Sequence, residues 1–228
     1  MIDPIIVTDL IRVFLVFIII TAAYIISTRN LSSLVTVYAV QSLALVFIAL
    51  LLFQIEGSTT LLAIAALTFT TKVLIIPHFI GTIQEKIRIK SDIQFHFLTP
   101  IKSLFLSVVL MLVVYITFVE IMDGASAPDD LFFFGAVIGI SMMLMGMMII
   151  FSRKRALTKV LGFLSMENGA LLFGLFITEL PFMIEFLVVI DLIILVLLTT
   201  ILIVGLDSTI EDYHERLQRF HLWEDDLP

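Results

Sequence analysis

Cysteine is absent from this sequence of 228 residues, which excludes disulfides, iron–sulfur clusters held by thiolates, and a thiol nucleophile. Charge is scarce too: Asp, Glu, Lys and Arg supply 14% of the residues, where soluble domains carry roughly 25%. Histidine occurs only as His78, His96, His214 and His221. None lies in the middle of an apolar run, where paired haem ligands would sit, so no haem or other metal site is expected on this chain.

What is present is apolar. Hydrophobic residues make up 61% of the chain and the mean hydropathy is +1.17, which places it among polytopic membrane proteins. Seven stretches are long enough to cross a ~30 Å hydrocarbon core as helices, roughly 6–26, 31–53, 59–80, 100–120, 131–151, 157–178 and 183–205. The expected fold is all-α, a membrane bundle of about seven transmembrane helices. The opening MIDPIIVTDLIR has no basic n-region and carries Asp3 and Asp9, so the first stretch reads as a retained span and not as a signal peptide.

Basic residues alternate onto one side of that bundle. Arg29, then Lys86, Arg88 and Lys90, then Arg153, Lys154 and Arg155, and finally Arg216 and Arg219 follow odd-numbered spans. The other loops hold Glu56, Asp123, Asp129, Asp130, Glu179 and Glu185. The positive-inside rule therefore predicts an external N-terminus and a cytoplasmic C-terminus. The net charge of −7 is divided between outer loops and tail, and points to no nucleic-acid partner. In the tail 207–228, Ile210, Tyr213, Leu217 and Phe220 recur at helical spacing. That suits either a short amphipathic helix on a partner or the bilayer, or a solvated topology anchor.

Laying Arg29 on Arg155 sets Leu31 on Leu157, Ala44 on Ala170 and Gln41 on Glu167. Such matches also arise by chance between apolar helices. Taken as a repeat, they predict a 3+1+3 arrangement: a first half at 1–98 with a basic cytoplasmic loop, a linking span at 99–128, a second half at 129–206, and the tail. In the fifth span Gly135, Gly139 and Gly146 lie near one face, a small-residue pattern that lets membrane helices approach closely. The methionines from Met142 to Met148 read as packing.

Three charges interrupt the apolar runs. Glu167 lies in LGFLSMENGALLFGLF, Asp191 in FMIEFLVVIDLIILVLL and Lys72 in LTFTTKVLIIP. A charge at bilayer depth costs at least ~2.5 kcal/mol on insertion scales, so such residues face a cavity, an ion path or one another. Glu167 has Asn168 beside it and Ser165 two residues before, and Gly162, Gly169 and Gly174 leave room for water or a neighbouring backbone. A carboxylic acid in low dielectric can exchange protons near physiological pH. Glu167 is expected near mid-membrane, Asp191 somewhat nearer the outside as a second proton station, and Lys72 in the cytoplasmic half of span three. Pro77 and His78 follow Lys72, and the proline should loosen the helix and free a carbonyl there. Tyr38, Gln41 and Tyr115 either extend a hydrogen-bonded path or hold helices together. Each site residue also admits a purely structural reading, Lys72 as an interhelical tie among them.

The stretch GAVIGISMMLMGMMIIFSRKRALTKVLGFLSMENGALLFGLF resembles the small K subunit of respiratory complex I and its relative, the C component of the Mrp antiporter. It shares a glycine-bearing helix, a short basic turn, and a helix with Glu followed by Asn and small residues. Asp191 falls where that family has a second acid. The likeness covers roughly 132–205. The length, the seven spans and the signature TFTTKVLIIPHFI resemble the longer hydrogenase-4 component E, a membrane subunit of group 4 nickel-iron hydrogenase and formate hydrogenlyase-type complexes. Two features depart from the pattern of the K subunit: Asn168 adjoins its Glu instead of following a few residues later, and Asp191 replaces a Glu.

The resemblance implies a non-catalytic subunit in a prokaryotic cytoplasmic membrane, which helps to couple electron transfer to proton or sodium movement. It implies nickel-iron and iron–sulfur centres on partner subunits, with antiporter-like membrane subunits and a hydrogenase-like peripheral arm as neighbours. Protons would exchange at Glu167 and pass to Asp191, with Lys72 or His78 on the cytoplasmic approach and Asn168, Gln41 and Tyr38 in support. A structural scaffold and an independent secondary transporter are the alternatives. The transporter would require a broken helix or a substrate-sized polar cavity.

Overall fold

The computed structural model describes residues 4–28, 30–87, 100–122, 130–153, 156–177, 186 and 188–200. Helix α1 spans Pro4–Ser27 and α2 spans Leu31–Glu56. Asn30 caps the start of α2, its side-chain oxygen accepting from Ser32 N at 3.2 Å. Gly57 ends that helix at φ +69°, a left-handed conformation suited to a residue without Cβ. The third span runs through α3 (Thr59–Thr68), a π-helical segment (Phe69–Ile75) and α4 (Ile76–Ile87). Then come α5 (Pro100–Met122), α6 (Asp130–Ser152) and α7 (Ala156–Ile177), and the shorter apolar helix α8 (Val188–Thr200). No extended strand occurs among the described residues.

Six helical spans are long and apolar enough to cross a membrane. Of the seventh expected stretch, 183–205, only the part around α8 is described, and it is shorter than a span. Arg29, Arg88, Lys90, Lys154, Arg155, Arg216 and Arg219, on which the orientation rests, lie outside the described residues. So do Asp123, Asp129, Glu179, Glu185, His96, His214, His221 and the tail 207–228.

Helices α6 and α7 form the most intimate pair, antiparallel and seamed by glycine. A Cβ built on Gly139 would stand 2.7 Å from Phe173 N, and one on Gly169 would stand 2.6 Å from Met143 N. Side chains larger than hydrogen do not fit there, so the room left by Gly169 is filled by the backbone of α6. Close backbone approach replaces the hydrophobic drive that lipid cannot supply. Helices α1 and α2 complete an inner group with this pair, and the third span packs on α2. Helix α5 stands at the edge: 11% of its apolar window is buried, against 67% for α7.

At one membrane end Arg153, the residue after α6, is 2% exposed. Its Nη2 donates to Ile26 O at 3.1 Å and Thr28 O at 2.8 Å. A helix end leaves carbonyls without partners and carries partial negative charge, so a guanidinium satisfies both. This contact sets the C-terminal ends of α1 and α6 side by side, so the two helices run in the same direction.

Candidate functional site: a buried polar cluster between the helices

Proline determines the local shape of span three. Pro77 has no N–H to donate and its ring crowds the carbonyl four residues back. The preceding turn is widened to π register, with Ile76 N–H donating to Thr71 O, a common adjustment where a helix ladder is interrupted. The expected loosening therefore takes the form of a π segment, and Lys72 is its buried residue. Lys72 lies close to the middle of Thr59–Gln84.

From there its ammonium reaches α7. Lys72 Nζ lies 2.9 Å from Glu167 Oε1, with side-chain exposures of 0% and 2%. The same Nζ donates to Asn168 Oδ1 at 3.3 Å. Adjacent residues on a helix diverge by about 100°, so Glu167 and Asn168 flank the ammonium while addressing different neighbours. Asn168 Nδ2 donates to Ser42 Oγ at 3.0 Å and Gln41 Oε1 at 3.4 Å. Gln41 Nε2 donates to Thr21 Oγ1 at 3.3 Å, and that hydroxyl donates to Ile18 O at 2.8 Å. A chain of polar groups thus runs from α1 through α2 and α7 to the π segment.

A second acid lies near Glu167. Asp191, on α8 and 3% exposed, is close enough for its carboxyl to act on that of Glu167. Neither Asp191 oxygen accepts from a donor among the described residues. Tyr38, one turn before Ser42, is 1% exposed. One carboxyl group is therefore paired with the ammonium, with a second carboxyl nearby, where water is scarce. Chemically, such a group can hold or release one monovalent cation with little displacement of the protein.

His78 is not part of this arrangement: its side chain is exposed on α4. Tyr115 is likewise exposed on α5, in edge contact with Phe133 at 5.8 Å. Ser165 is buried, but it shares no hydrogen bond with the cluster among the described residues. Ser42 and Thr21 belong to the network although sequence reasoning passed over them. The available signal was weak: Ser42 adjoins Gln41, and hydroxyl residues in apolar helices commonly bond their own backbone. Among the described residues no group of three or more His, Asp or Glu side chains could hold a metal ion.

No family model, curated protein or solved structure matches this chain.

Proposed function

We propose that this chain is a membrane subunit, itself without a redox centre, of a complex I-related, membrane-bound hydrogenase-type complex. In this reading the Lys72–Glu167–Asp191 cluster exchanges protons, or sodium ions, whose movement is coupled to electron transfer in partner subunits. The family part rests on the resemblance of 132–205 to the complex I K subunit and of the whole chain to hydrogenase-4 component E. The observation that carries the chemical part is the Lys72–Glu167 ion pair at 2.9 Å with the buried Asp191 carboxyl near enough to act on Glu167.

Charge counting gives the mechanism. One ammonium and two carboxylates sum to −1, which is expensive at bilayer depth. One proton shared by the two acids makes the group neutral. Movement of Lys72 away from Glu167 leaves the acids undercompensated and draws a proton in; its return expels that proton. Asn168, tied to Gln41 and Ser42, holds the amide on which the ammonium rests. Nickel-iron and iron–sulfur centres belong to partner subunits, the membrane is the prokaryotic cytoplasmic membrane, and the N-terminus faces outward.

Glu167→Gln in the assembled complex, reconstituted in liposomes, tests the reading. Donor oxidation is expected to continue while fewer ions cross per electron; an unchanged ratio in a fully assembled complex refutes it. One observation favours a second reading, a scaffold that holds helices in register: the hydrogen-bonded chain from Thr21 to Lys72 ties spans far apart in sequence. In that case Glu167→Gln leaves the ion ratio intact and lowers the yield of assembled complex.

A further inference from the structure

Between α7 and α8, at the membrane end marked by Arg153, runs an apolar groove of about 460 Å³ walled by Ile150, Phe163, Ile193, Ile194 and Leu197, with Lys159 also in its lining. Lys159 stands in the first turn of α7 and its side chain is exposed. Ile194, in the groove wall, is one helical turn beyond Asp191. From Lys159 to the level of Glu167 the helix rises roughly 12 Å at 1.5 Å per residue. That is close to half of a ~30 Å hydrocarbon core, so the groove belongs to one leaflet.

Two properties select its occupant. The walls are hydrocarbon and admit hydrocarbon. No carboxylate pairs with Lys159 among the described residues, so the rim offers a positive charge at the depth where lipid phosphates lie. We infer that the groove is a lipid site holding one acyl chain of an anionic phospholipid, with its phosphate on Lys159. The chain tip then ends about one turn from Asp191 and closes that flank of the polar cluster to water. The site stands on groove shape and charge alone, independently of ion translocation.

Native mass spectrometry of the full chain released from nanodiscs of equal phosphatidylcholine and phosphatidylglycerol provides the test. Retained phosphatidylglycerol is expected to exceed phosphatidylcholine by about fivefold, the preference one basic residue supplies near a membrane surface. Lys159→Gln should bring the ratio to about one, and Lys159→Arg should keep it. Leu197→Trp, which fills the groove and leaves the lysine, should remove the retained lipid altogether. Equal retention of the two lipids by the wild type, or a preference that survives Lys159→Gln, overturns the inference. So does cross-linking of a photoreactive residue at Ile193 to another polypeptide in place of lipid.

Discussion

Lys72 and Glu167 neutralise each other in a place where neither is tolerated alone. Such a pair adds little net stability, because desolvation offsets the attraction, but removing one partner strands a buried charge at a cost of roughly 3–5 kcal/mol. Lys72→Met should therefore lower the unfolding midpoint of the purified chain sharply. Lys72→Met combined with Glu167→Gln should recover most of the loss, and thermal melts of the four variants in detergent give the coupling. Additive losses would show that the two side chains do not act as a pair. Each residue was visible in the sequence as a polar interruption of an apolar run. Their partnership was not, because the lysine and Asn168, the neighbour of Glu167, are 96 residues apart and nothing local joins them.

Among the helices, small residues and one proline set the geometry. Gly139→Leu should wedge α6 from α7 and destabilise the chain by about 1–3 kcal/mol, the usual cost of overpacking. Gly81→Ala is the control, since a Cβ there meets nothing within 4 Å; equal midpoint shifts for the two variants would contradict a glycine seam. Pro77→Ala restores a backbone donor and removes the reason for the π segment. Relaxation to α register turns Lys72 by about 100° relative to the helix beyond it, so the coupling between positions 72 and 167 should vanish in that background. If the coupling persists, the π segment does not orient the lysine. The glycines of α6 were legible as a small-residue face, and the proline as a disturbance. The π register was not legible, since a proline inside a helix can be accommodated by a kink, a break or a widened turn.

For the molecule as a whole, the absence of cysteine makes any introduced thiol unique. Ser58→Cys lies in the turn between α2 and α3, and Thr28→Cys follows α1 at the Arg153 end. With the N-terminus outside, a membrane-impermeant maleimide added to intact cells should label position 58 and spare position 28 until the cells are opened. The reverse pattern would invert the proposed orientation. Arg153 shows how one residue serves two scales. The sequence read it as a charge that orients the chain, and the structure adds that it closes the C-terminal end of α1 through two carbonyls.

Class was determined by sequence alone. Transfer of apolar residues into lipid is a sum over local contributions, so composition and run length suffice to predict an all-helical membrane chain and six of its spans. Partners were decided only by tertiary structure. These spans are apolar around most of their circumference, so periodicity says little about which face turns inward. Rotation and depth come from packing: a glycine seam between α6 and α7, and a proline-induced π turn in span three. Those two local accidents bring Lys72, Glu167, Asn168 and Asp191 together and leave His78 on the outer surface.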